Sequence, residues 1–133
     1  MLKYLLDTNI VIYVIKNRPA VARERFTQHQ DQLCISTVTM MELVYGAERS
    51  QQIERNLRDI EQFAARLEVL PYDTPAAIHT GQIRAELARI GQPVGPYDQM
   101  IAGHARSLGL ILVSNNTREF SRINGLRLED WSL

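Results

Sequence analysis

The 133-residue chain contains one cysteine, Cys34, so no disulfide can close within it. A small scaffold stapled by bridges is excluded, and a reducing cytoplasm is the expected location. No apolar run approaches the roughly 20 residues of a membrane span. The start, Met1 to Leu6, lacks the charged segment and cleavage site of a secretory leader. Histidine is scarce: His29, His79 and His104 fall on three different expected helices and form no evident pair. Each reads as a surface or half-buried helix residue. Net charge is absent too, since fifteen acids balance fifteen bases. Only Lys3 and Lys16 are lysines; the other thirteen bases are arginines, the side chain suited to bidentate phosphate contact. If four of the acids converge in one pocket, the remaining surface carries four net positive charges, and a neutral total conceals an acidic pit in a basic rim.

What is present is an ordinary apolar and charged fraction for one globular domain, residues 1–133, with strand-like and helix-like segments alternating. Lys3 to Leu6 reads as a buried strand ending at Asp7. Helices are expected over Ile10 to Ile15 and Ala20 to His29, broken at Asn17-Arg18-Pro19. A strand over Leu33 to Ile35 leads to Ser36 or Thr37 as N-cap of a helix with Met40, Leu43, Val44 and Ala47 on one face. Ile53, Leu57, Ile60, Ala64 and Leu67 repeat at helical spacing. Val69-Leu70 is the next strand. Thr74, before Pro75, reads as the N-cap of a helix stopped by Gly91. Gly95-Pro96 opens a helix over Tyr97 to Leu108, stopped by Gly109. Leu110 to Val113 is the clearest buried strand, and Leu126 to Leu128 a weaker one. This alternation predicts an α/β fold, a mostly parallel sheet of four to five strands with helices on both faces. In such sheets, sites form beyond the carboxyl ends of the strands.

Acids collect at those ends. Asp7 follows the first strand directly; alone it reads as an N-cap of the following helix. Glu42 lies in the helix after the second strand and can reach back over the sheet edge; alone it reads as a solvated position, or as the end of a capping box with Thr39. Asp98 stands in the first turn of its helix, where acids are favoured in any case. Ser114, Asn116 and Glu119 follow the clearest strand, in what reads as a polar loop. Ionised carboxylates gathered together repel unless a cation neutralises them. Oxygen ligands without His or Cys favour Mg²⁺ or Mn²⁺ over Zn²⁺.

Leu6-Asp7-Thr8-Asn9, Met41-Glu42-Leu43, Pro96-Tyr97-Asp98-Gln99-Met100-Ile101-Ala102 and Ser114-Asn115-Asn116-Thr117-Arg118-Glu119-Phe120 resemble, in order and spacing, the four motifs of PIN-domain ribonucleases. The closest likeness is to the VapC toxins of bacterial toxin–antitoxin pairs. The resemblance implies Asp7, Glu42 and Asp98 as Mg²⁺ or Mn²⁺ ligands, with Asn9 and Ser114 supporting them. Many members supply a fourth acid in the last motif; here Asn116 is the position nearest the strand and Glu119 the available acid. The resemblance further implies metal-activated hydrolysis of a structured RNA such as tRNA or rRNA. It also implies a homodimer, a cognate antitoxin that blocks the acidic groove, and operator DNA bound only through that antitoxin. Arg84, Arg118 and Arg122 are candidate phosphate contacts; each reads equally as a solvated charge.

Three rivals fit less well. A receiver domain needs a lysine after a late strand, and both lysines precede residue 17. A haloacid-dehalogenase-type phosphotransferase wants an acid where Asn9 stands. A non-catalytic module that kept the fold is opposed by intact Asp7, Glu42 and Asp98.

Overall fold

The computed structural model describes residues 1–133. In chain order the elements are β1 (Tyr4–Leu6), α1 (Thr8–Lys16), α2 (Ala20–Gln28), β2 (Leu33–Ser36), α3 (Thr37–Glu48) and α4 (Ile53–Ala64). Then follow β3 (Glu68–Leu70), α5 (Thr74–Ile90), α6 (Pro96–Leu108), β4 (Ile111–Val113), α7 (Thr117–Phe120) and β5 (Arg127–Glu129). The strands form one sheet in the order β3-β2-β1-β4-β5, and every pairing is parallel. The expected α/β architecture is the observed one, with five strands.

Side chains of a strand alternate between faces, and the core divides accordingly. Tyr4, Leu6, Leu33, Ile35, Ile111 and Val113 pack with Val14, Phe26, Ile60, Phe63 and Trp131 on one side. Leu5, Cys34 and Leu112 pack with Ile83, Ile101, Ala105 and Phe120 on the other. The three central strands are therefore buried on both faces, which explains their unbroken apolar sequences. No helix is long and apolar enough to cross a membrane.

Several local expectations are corrected. Helix α1 begins at Thr8 rather than Ile10, because the Asp7 carboxylate caps it by accepting from Ile10 N at 3.1 Å. The cap of α5 is Asp73, not Thr74: its Oδ1 accepts from Ala76 N at 3.2 Å, and Pro75 falls in the first turn beyond. Helix α4 ends at Ala64, so Leu67 packs from the connection to β3. The polar stretch after β4 contains the single turn α7. Thr39 closes no capping box; it is buried in α3, whose N-cap is Ser36. His104 is not a surface group: it is 1% exposed, with Nδ1 at 2.8 Å from Ser36 Oγ.

Candidate active site

Chain order fixes where a crevice opens. From β1 the chain builds outward to β2 and β3 on one side, then crosses to β4 and β5 on the other. The loops after β1 and β4 leave in opposite directions, and the gap beyond their carboxyl ends is where such folds place ligands. Leu6 pairs with Val113 as the last register of that pairing, so Asp7 and Ser114 emerge side by side.

Asp7 thus holds both roles that the sequence left open. Its Oδ1 caps α1, and its Oδ2 accepts the Ser114 hydroxyl at 2.5 Å. Both bonds favour the ionised form, yet burial outweighs them. The carboxyl is pushed up to about 6, with Asp98 and Glu42 adding repulsion. Asp98, in the first turn of α6, is also raised, by burial first and then by Glu42 and Glu119. The four acids from α1, α3, α6 and α7 therefore lie within one another's fields.

Three of them, Asp7, Glu42 and Glu119, are held by a neutral neighbour. Thr8 Oγ1 donates to Glu42 Oε1 at 2.6 Å, tying the start of α1 to the middle of α3. Thr8 also lies 3.3 Å from the buried Thr39 hydroxyl. Asn116 Nδ2 donates to Glu119 Oε2 at 3.0 Å, and Asn116 N donates to Ser114 Oγ at 2.9 Å. Ser114 thereby links Asp7 to the turn that carries Glu119. The role of Thr8 escaped the sequence reading; its hydroxyl beside Asp7 was the available signal, but its partner lies 34 residues away. Asn115 was likewise not singled out, and its Nδ2 donates to Tyr13 OH at 2.8 Å.

The remaining candidates lie apart. Asn9 is exposed in the first turn of α1. Arg118 is exposed on α7. Arg84 lines a cleft of about 580 Å³ with Gln92, Pro93 and Gln99. Arg122 is engaged internally, donating through Nη1 to Pro93 O at 2.7 Å. His29 stacks on Trp131, and His79 accepts from Arg106 Nε at 3.0 Å, so no two histidines meet.

As the side chains stand, no three His, Cys, Asp or Glu groups are drawn tightly enough to cage one ion. The donor set is nevertheless the one a hard divalent cation requires: carboxylate oxygens, one nearly buried, with Asp7 and Asp98 raised in pKa by burial first and by neighbouring acids after it. These residues fit Mg²⁺ or Mn²⁺.

Comparison with known proteins places this geometry. The model of the PIN domain matches residues 4–126. The tRNA(fMet)-specific endonuclease VapC of Shigella flexneri is 69% identical over 132 residues, covering 99% of this chain and 100% of that protein. The tRNA(fMet)-specific endonuclease VapC of Salmonella typhimurium is 66% identical, covering 98% and 99%. A crystal structure of DNA-bound VapBC from Salmonella typhimurium superposes with a TM-score of 0.94 at 66% identity, over 98% of this chain and 99% of that one. Strand-end acids, parallel sheet and full-length relatives agree: the chain belongs to the PIN-domain family, among its VapC ribonucleases.

Proposed function

We propose that the protein is a Mg²⁺- or Mn²⁺-dependent endoribonuclease that acts as a toxin by cutting tRNA(fMet), and so stops translation and growth. The observation that carries the reading is the convergence of Asp7, Glu42, Asp98 and Glu119 at the crevice between β1 and β4. The substrate is taken from the relatives, which are 66–69% identical over nearly the full chain and are named for tRNA(fMet).

In this mechanism Asp7, Glu42 and Asp98 would hold the metal ion, and Glu119 would hold a second ion or the attacking water. A divalent ion bound there would supply a lowered pKa for water and an offset to charge on the phosphodiester. The Ser114 and Ile10 bonds keep Asp7 in one rotamer, ready to deprotonate. Thr8 fixes Glu42 toward the crevice, and Asn116 fixes Glu119. Attack by water leaves a 5′-phosphate and a 3′-hydroxyl. The alternative, attack by the RNA 2′-hydroxyl, needs a paired acid and base, and none of the three histidines meets another titratable partner suited to that work.

The proposal includes a cognate antitoxin. Relatives are solved as VapBC complexes, one of them DNA-bound, from Salmonella typhimurium, and one from Haemophilus influenzae at 39% identity and a TM-score of 0.89. A homodimer, and operator DNA contacted only through the antitoxin, complete it. The compartment is the cytoplasm, which suits the lone buried thiol of Cys34, pushed up to about 12 by burial and Glu68.

The test is cleavage of tRNA(fMet) by wild type and Asp7→Ala, with Mg²⁺, with Mn²⁺ and with chelator. We expect metal-dependent cleavage by the wild type and a loss of at least 100-fold in the variant, of the order that metal-site disruption brings. Equal cleavage by both, or cleavage undiminished by chelator, defeats the mechanism.

A further inference from the structure

Two cavities run end to end along the outer side of α1. The first, about 320 Å³, reaches Glu42 and has an apolar floor of Ile12, Ile15, Leu43 and Ile60. The second, about 400 Å³, shares Ile15 and Asp59 with the first and is walled by Arg23, Arg55 and Arg66. None of these three arginines has a carboxylate within 4 Å; the only such pair in the chain is Arg106–Glu86, at 3.9 Å.

Each guanidinium is nonetheless oriented. Arg23 donates from Nε to Val14 O at 3.0 Å and from Nη2 to Ile15 O at 3.1 Å. Arg55 Nη1 donates to Gln52 Oε1 at 3.2 Å. Arg66 lies over the Phe26 ring, 4.8 Å from its centroid. Neutral partners hold the forks, and Asp59, the one carboxylate lining the cleft, stays beyond 4 Å of all three. Planar, preoriented cations match phosphate oxygens.

The acidic crevice itself repels a polyanion, so affinity for RNA must come from cations placed beside it. From its Asp7 cap to Ile15, α1 spans eight residues, or roughly 12 Å along its axis, a distance of a few nucleotides. We propose that Arg23, Arg55 and Arg66 form a phosphate-binding cleft for the RNA backbone flanking the scissile bond. The inference rests on the ribonuclease reading and adds the path of the bound strand. The scissile phosphate lies at the acids, sugars and bases lie over the apolar floor, and a flanking phosphate sits in the arginine cleft.

The test uses the full chain carrying Arg55→Glu and Arg66→Glu together. Both side chains are exposed, whereas Arg23 is left alone because it caps α1. In wild-type background we expect KM for tRNA(fMet) to rise at least 10-fold with kcat within about twofold. The slope of log affinity against log salt should shrink by about 1.5, as for two lost phosphate contacts. Binding of uncleaved RNA is measured separately by fluorescence anisotropy, with Asp7→Ala added to both chains. There the arginine variant should bind at least 10-fold more weakly, and Lys at both positions should recover most of the salt slope. Unchanged RNA binding and salt slope overturn the proposal. So does a variant that binds RNA normally but loses affinity for the antitoxin, since the cleft then serves an acidic peptide. Failure of the wild type to cleave RNA counts against the ribonuclease reading, while the binding measurement still decides the cleft.

Discussion

Ser114 shows how much one hydroxyl can organise. It donates to Asp7 and accepts from Asn116 N, so a buried acid and a surface turn share one oxygen. Asp7 was legible as a candidate because it follows an apolar strand. Its electrostatics were not, because burial by β4 and repulsion from Asp98 depend on residues about a hundred positions away. The raised pKa has a definite sign for stability. The folded metal-free protein holds the Asp7 proton up to about pH 6, while the unfolded chain releases it near 3.8. The stabilising contribution is full below 3.8, falls as pH rises towards 6, and is absent above. The difference amounts to about 3 kcal/mol. We therefore expect metal-free Asp7→Asn to be more stable than wild type at pH 7.5, by on the order of 1–3 kcal/mol, with the gap closing towards pH 4. Urea unfolding at several pH values measures it. A gap that does not change with pH rules the account out.

At the scale of elements, α3 and α6 carry Glu42 and Asp98, and a buried polar chain joins them. His104 of α6 meets Ser36, the cap of α3, whose Oγ also accepts from Val38 N. Burial lowers the His104 pKa and so favours the neutral ring, while Asp73 pulls the other way. Tyr72 packs its ring edge-on to His104 and donates its hydroxyl to Thr80, at 2.7 Å. Thr80 in turn lies so close to Gly103 that an added Cβ there would fall 2.8 Å from its backbone nitrogen. Removing one partner of a buried hydrogen bond strands the other, at a cost of about 1–3 kcal/mol. Ser36→Ala and His104→Phe should each destabilise by about that much, and the double variant by clearly less than their sum. Additivity within about 0.5 kcal/mol in chemical denaturation contradicts the coupling. Helix and strand positions were legible from apolar period and from Gly and Pro stops. His104 was misjudged because a single histidine on a helix does not reveal which neighbouring cap it will meet. Thr74 was misjudged because Asp73 competes for the same cap one residue earlier.

The whole molecule carries no net charge, yet its charges are sorted. Acids meet at the crevice between β1 and β4, and unpaired arginines wall the far end of the trough beside α1. The parallel order was legible in outline from alternating elements. The convergence of particular side chains was legible only through the motif resemblance, because spacing alone does not say which strands are neighbours. Neutralising the crevice should stabilise the entire fold. At about 100 times its dissociation constant, Mg²⁺ or Mn²⁺ adds about 2.7 kcal/mol, a rise in melting temperature of about 10 °C for a chain of this size. Calorimetry at pH 7.5 should show that gain in wild type and little of it in Asp7→Asn. An equal gain in both would place the ion elsewhere.

The bond between Ser114 and Asp7 joins residues 107 positions apart, and Glu119 follows later still. A ribosome making this chain therefore releases β1 early but cannot complete the acidic crevice until almost the last residues have emerged. An interrupted or prematurely released chain has Asp7 without its hydroxyl partner, and β1 without the neighbour on its β4 side. The product of a broken message should thus lack the assembled acid cluster, because the order of synthesis leaves Ser114 and Glu119 to the last part of the chain.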